Sequence, residues 1–256
     1  MARTDTLGNF LTDVADSIRE KKGTSEPILA SDFDTEIASI ESGGDLSEYF
    51  YDTITQNTNT MPTRVVLQII KKLPDVIYVD NSVTNLTGAF DSSKLTTLPK
   101  LVFGSNVTTI SSMFNYCKAS EIDVTGFNTS NITAFTNLFS DCSNLLKVDT
   151  SISDNFVSDK VTTMYNMFNY CTKMTEANLS NLRTPVLADT SYMFYNCRAL
   201  QKIDIRNMTF DNVTNHDYML DSVPRNCEII VKSDTEKQWF ATNFSSYTNV
   251  KTVAEL

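Results

Sequence analysis

Four short stretches decide the fold: Met113-Phe114-Asn115-Tyr116-Cys117, Leu138-Phe139-Ser140-Asp141-Cys142, Met167-Phe168-Asn169-Tyr170-Cys171 and Met193-Phe194-Tyr195-Asn196-Cys197. Each places a phenylalanine three residues before a cysteine, and together they hold four of the chain's five cysteines. Degenerate copies lie on either side, Ala89-Phe90-Asp91-Ser92-Ser93 before them and Met219-Leu220-Asp221-Ser222-Val223 after them. Measured at the aromatic position, with Leu220 in the last copy, the steps are 24, 25, 29, 26 and 26 residues. A repeat of that length cannot bury its own apolar face, so neighbouring copies must stack into a solenoid.

Each unit opens with a turn that carries a β-branched residue and a threonine, as in Asn106-Val107-Thr108, Asn131-Ile132-Thr133 and Asn212-Val213-Thr214. The following Met, Phe and Cys fall at i, i+1 and i+4, the spacing of a short helical turn with one inward side. A strand then closes the unit, exemplified by Leu200, Ile203 and Ile205. The expected fold class is an α/β repeat solenoid, with a parallel sheet along one side and short helical turns along the other. Free cysteine behaves as a small hydrophobe, so the repeated Cys is expected to be reduced and buried against the Phe ladder. The spacing offers no close C-x2-C pair for zinc, and no disulfide is expected.

Composition excludes several function classes. The 256 residues carry 21 basic and 31 acidic side chains, a net charge of −10 without a basic stripe, so a nucleic-acid partner is not expected. Thr, Ser and Asn number 33, 25 and 23, which favours strands, caps and turns over a helical bundle. No apolar run approaches the roughly 20 residues of a membrane span, and the opening Met-Ala-Arg-Thr-Asp-Thr-Leu lacks the apolar segment of a secretory signal. Neither membrane insertion nor export by a signal peptide is therefore expected. A single histidine, His216, only seven glycines, and no nucleophile elbow, zinc-binding helix or phosphate loop argue against an enzyme; no cofactor and no metal are expected.

Three regions flank the repeats. Residues 1–42 read as two short helices, the first with Phe10, Leu11, Val14 and Ile18 on one face, the second starting at Ser31 and carrying Phe33, Ile37 and Ile40. A hairpin this small needs a partner surface, and the Ser42-Gly43-Gly44 hinge suggests an attachment module. Residues 45–80 read as a β-rich entry cap, 81–223 as the solenoid, and 224–256 as a C-terminal cap. That last segment contains a closing strand at 227–232 and a capped helix from Ser233 to Phe244 carrying Trp239.

The order and spacing of the Asn-Val-Thr turn, the Met-Phe-x-x-Cys segment and the strand resemble BspA-type leucine-rich repeats over about residues 81–223. The first copy departs from the pattern by lacking Cys, the middle carries an insertion at 151–159, and the last has Leu220 for Phe. The stretch from Phe10 to Thr24, with Ile28, Phe33, Ile37, Ile40 and Gly43-Gly44, is similar to an N-terminal module of phage tail-associated proteins. Asp45 to Phe50 with Ile69 to Pro74 resembles the leader that joins such a module to BspA-type repeats. The resemblance implies a phage virion structural protein, a tail fibre, tail tip or head fibre subunit, assembled in the host cytoplasm and displaying its repeats for host-surface recognition. It further implies attachment to other virion proteins through Phe10, Leu11, Val14, Ile18, Phe33, Ile37 and Ile40, a host-surface glycan or protein as ligand, and a homo-oligomer. A purely structural decoration or spacer protein and a bacterial cell-surface adhesin are the alternatives.

Two sets of residues qualify as a ligand face. Asp123, Asp149, Asn178 and Asp204 occupy equivalent strand positions, where they either meet sugar hydroxyls or a cation, or, as this residue type favours, bond to the turn that follows. Tyr116, Tyr170, Tyr192 and Tyr195 offer amphipathic area on the opposite side, for a carbohydrate or for packing between coils. The Asn-x-Ser/Thr triplets at Asn106, Asn131 and Asn212 belong to the repeat turn and are not read as glycosylation sites.

Overall fold

The repeats wind into successive coils, each laying a short strand beside the strand of the coil before it. The structure, a computed structural model, describes residues 53–54 and 75–256, which belong to one compact unit. A three-stranded parallel sheet is formed by β1 (Thr53–Ile54), β2 (Val76–Val79) and β3 (Lys100–Val102). A five-stranded parallel sheet follows, in the order β4 (Lys147–Asp149), β5 (Glu176–Asn178), β6 (Lys202–Asp204), β7 (Glu228–Val231) and β8 (Val250–Thr252). Register puts Val148, Ala177, Ile203, Ile229 and Val250 in one column, all buried, so the alternation of each strand sends the same position inward in every coil. Residues 121–124 form no strand, and the break between the two sheets falls there, one coil before the insertion at 151–159.

Inside, Phe90, Phe114, Phe139, Phe168 and Phe194 stack in a continuous ladder. Successive centroids lie 5.5, 5.7, 5.3 and 5.4 Å apart, with planes within 8°. Leu220 continues the position in the last coil, fully buried. The cysteines follow the ladder as free, buried thiols. The thiols of Cys142, Cys171 and Cys197 donate to the carbonyls of Phe114, Phe139 and Phe168 in the preceding coil, at 2.9, 3.0 and 3.0 Å. Cysteine thus fills the core and satisfies a backbone acceptor, which Val or Ala at that position could not do. Burial raises the pKa of Cys142, Cys171 and Cys197 well above the usual thiol range, and pushes Cys227 up to about 12.

The expected helical turns are absent from the described repeats, and the α/β expectation is corrected to a β-solenoid. Each Met-Phe-x-x-Cys segment is a chain of overlapping tight turns. In one coil Met113, Asn115 and Cys117 donate to the carbonyls of Ile110, Ser112 and Phe114. Two residues per coil, four apart, take left-handed backbone: 88 and 92, 112 and 116, 137 and 141, 166 and 170, 192 and 196, 218 and 222. A helix would spend its N–H groups within its own turn. Here alternate N–H groups point at the next coil, as Asn166, Phe168 and Tyr170 donate to the carbonyls of Ser191, Met193 and Tyr195. The turn side is therefore bonded coil to coil as continuously as the sheet. Among the described residues this column ends at the N–H groups of His216, Tyr218, Leu220 and Ser222, which have no acceptor in the protein.

The C-terminal cap closes the sheet side. The helix α1 (Asp234–Asn243) starts at Ser233, whose hydroxyl accepts from the Thr235 N–H, as its capping sequence predicts. β7 is not the last strand, as expected from sequence; the chain returns after α1 and β8 pairs with β7. Tyr247 is buried below and shares its hydroxyl between the carbonyls of Leu220 and Val223, taking the role that a cysteine of a further coil would have. The helical hairpin at 1–42, with the attachment residues Phe10, Leu11, Val14, Ile18, Phe33, Ile37 and Ile40, lies outside the described residues, as does most of the entry cap.

Candidate functional site

Asp149, Asn178 and Asp204 do align in register across β4, β5 and β6, while Asp123 sits in the coil without a strand. At least one oxygen of each is spent locally. Asp123 Oδ1 accepts from the Thr125 N–H at 2.8 Å and its hydroxyl at 2.6 Å, and Asp149 Oδ1 from the Ser151 N–H at 3.1 Å and its hydroxyl at 2.6 Å. Asn178 Oδ1 takes the Ser180 N–H, and Asp204, 3% exposed, takes the N–H and guanidinium of Arg206. Asp80 repeats the arrangement with Ser82. Each side chain closes the turn after its strand, the self-contained motif that Asp and Asn favour. Burial alone would raise the Asp123 pKa, but the Thr125 hydroxyl and N–H outweigh it and hold the carboxyl below its ordinary value. Asn106, Asn131 and Asn212 donate their amide nitrogens to carbonyls of the preceding coil, at Asn81, Ser105 and Pro185.

The turn side is different. Tyr165, Tyr170, Tyr192, Tyr195 and Tyr218, five of the chain's ten tyrosines, form one patch over three successive coils. Tyr192 stacks on Tyr218 at 5.0 Å, and edge contacts at 5.4 to 6.3 Å tie Tyr195 to Tyr170, Tyr192 and Tyr218, with Tyr165 against Tyr192 at 6.0 Å. Tyr165, Tyr170 and Tyr218 remain 37 to 57% exposed. Tyr116, grouped with them from sequence, is half-exposed but stands three coils from Tyr192 and joins none of these ring contacts. Tyr165 and Tyr218 were not among the residues expected. Tyr218 could have been found, since it stands two positions before Leu220 as Tyr192 does before Phe194.

Backbone conformation adds weight to the patch. Tyr116, Tyr170, Tyr192 and Tyr218 have φ of 55 to 57°, the left-handed region that disfavours a bulky side chain by roughly 1 to 2 kcal/mol. Equivalent sites in other coils hold Gly88, Asn137, Asp141, Asn166 and Asn196, residues that adopt it at lower cost. Within the patch Tyr170, Tyr192 and Tyr218 carry this strain, and outside it Tyr116 does. Burial and the neighbouring Tyr218 and Tyr165 keep the Tyr192 hydroxyl above the ordinary tyrosine value. Chemically it offers flat apolar rings edged by hydroxyls that donate and accept. Among the described residues no helix is long and apolar enough to cross a membrane.

A family model described as "Mycoplasma protein of unknown function, DUF285" matches residues 44–153 and again 108–232, so the two matches overlap within the repeats and together span 44–232. Comparison with curated proteins and with solved structures gives no match.

Proposed function

The chain belongs to the DUF285 family of BspA-like repeat proteins, and within that frame we propose that it is a recognition protein: a phage virion appendage subunit whose solenoid meets a host surface through the tyrosine patch. The observation that carries this reading is the cluster of Tyr165, Tyr170, Tyr192, Tyr195 and Tyr218, the first two and the last exposed and the others half-buried, held partly on left-handed backbone. Rings with a polar edge suit a neutral glycan or a protein, and the −10 charge disfavours a bare polyanion. The virion placement is supported by the likeness of residues 10–24 to an N-terminal module of phage tail-associated proteins, and of residues 45–50 with 69–74 to the leader that joins it to BspA-type repeats. In this reading residues 1–42 attach the subunit to other virion proteins.

The test is binding of a multimerised full chain to host cells and to arrayed envelope glycans, since several copies raise avidity by about 10² to 10⁴. Saturable binding that is lost in Tyr192→Ala and Tyr218→Ala, together with slowed phage adsorption, is the expected result. If the multimer binds no host surface and virions lacking the protein adsorb normally, the chain is a structural decoration instead. Deletion of residues 1–42 is expected to abolish incorporation into particles.

A further inference from the structure

A separate cavity lies on the C-terminal cap, away from the rings of the tyrosine patch. Trp239 of α1 stacks on Phe210, with centroids 4.6 Å apart and planes at 25°. His216 and Phe244 hold the indole from its sides, at 5.3 and 5.7 Å. A pocket of about 260 Å³ opens beside this stack, lined also by Asp211, Glu236, Gln238 and Asn243.

The polar groups around it are one-sided. Glu236 is only 5% exposed; its Oε2 accepts from the Ser233 hydroxyl at 2.6 Å, and its Oε1 has no partner in the protein. Asp211 is exposed, and among the described residues its carboxylate has no partner. The amide nitrogens of Gln238 and Asn243 each spend one N–H, on Thr242 Oγ1 and on the Trp239 carbonyl. Lys237, on the same helix, is turned to Glu255 at 2.6 Å. The lining thus carries two carboxylates, of Asp211 and Glu236, and no cationic side chain. A neutral sugar would leave the charge of the two carboxylates unmet. An ammonium brings three donors and a positive charge for the carboxylates, and the carbons that carry it suit the apolar edge of Trp239 and Phe210.

We propose that this pocket binds a protonated primary amine on a compact carbon body, the chemistry shared by a lysine side chain and an unacetylated amino sugar. The carbon body rests on the Trp239 and Phe210 edge of the pocket, and the ammonium faces Asp211 and Glu236. The site is independent of the tyrosine patch, so either can fail alone.

Trp239 is the only tryptophan in the chain, which makes its fluorescence a reporter of this pocket. The full chain is titrated with N-acetyl-L-lysinamide and with glucosamine, and in parallel with their N-acetylated counterparts. A saturable change with at least one free amine, at a Kd near or below about 1 mM, is expected, and acetylation should weaken it at least about tenfold. A response confined to the lysine derivative assigns the site to a protein-borne amine, and one confined to glucosamine to a sugar-borne one. Asp211→Asn, at an exposed position, and Glu236→Gln, which keeps an acceptor for Ser233, should each weaken binding about tenfold with unchanged circular dichroism. Equal binding of acetylated probes, no saturable response to either amine, or an unaltered affinity in Asp211→Asn overturns the proposal.

Discussion

The solenoid has two periodic faces, and they differ in where their side chains spend their bonding capacity. On the sheet side, Asp123, Asp149, Asn178 and Asp204 recur in four successive coils and close the turn beside them, each accepting from a backbone N–H there and, except at Asn178, from a hydroxyl or guanidinium as well. On the turn side, tyrosines repeat less regularly, sit on costly backbone and leave their rings open to solvent. Regular repetition therefore marks what the fold needs in every coil. Irregular placement, strain and exposure mark what the fold could do without, and that is where a ligand surface is to be sought.

Both faces rest on the same ladder, so the largest expected effect is common to them. Phe168→Ala removes a ring stacked on both sides and should cost about 3 to 5 kcal/mol, read from urea unfolding monitored by circular dichroism. A loss below about 1 kcal/mol would mean the coils are held by their backbone bonds alone. The next test gives the two faces opposite signs. Asp149→Ala should destabilise by about 1 kcal/mol through the lost bonds to Ser151, and leave binding unchanged. Tyr116→Asn, away from the patch, should stabilise by about 1 kcal/mol by relieving left-handed backbone, whereas Tyr218→Asn should give up binding for a similar or smaller gain. Destabilisation in Tyr116→Asn would show the tyrosines to be packing residues, and the contrast between the faces would collapse.

Titration separates the interior from the sheet side. The buried thiols have raised folded pKa values, so their contribution is present below the unfolded value near 9 and is lost as pH rises beyond it. Native protein at neutral pH should react with far fewer than five thiol equivalents, and denatured protein with all five. Asp80 and Asp123 have lowered folded pKa values, so the stability they add is present above the unfolded carboxylate range near 4 and fades as pH falls through it. This is the smallest effect, and a Tm that does not fall on acidification below about pH 4 would contradict it.

Much of this architecture was legible because a repeat multiplies every signal. The period, the inward Phe and Cys, the parallel sheet and the Ser233 cap follow from residue type and spacing, and the Asp-to-turn bonds from the chemistry of short polar side chains. The turn column was not legible. Left-handed residues announce themselves when they are Gly88 or Asn137, but Ser112 and Tyr116 fill the same sites in the next coil, and the Met, Phe and Cys spacing fits a helical turn equally well. β8 escaped notice because three residues, Val250 to Thr252, are too few for an alternating pattern to stand out. The tyrosine patch joins residues from three coils, and only Tyr218 shares a repeat offset that would have revealed it.

The turn column also makes the molecule electrically polar along its length. In a sheet successive peptide dipoles alternate and nearly cancel. In the column every peptide that bridges two coils points its N–H toward the C-terminal neighbour, so the dipoles add from coil to coil as they do in a helix. The positive pole emerges at the N–H groups of His216, Tyr218, Leu220 and Ser222, and the residues interleaved with them include Asp217 and Asp221, both exposed. Acidic side chains stand at that pole as they do at the start of a helix, and the array ends as a charged terminus rather than as an interrupted stack.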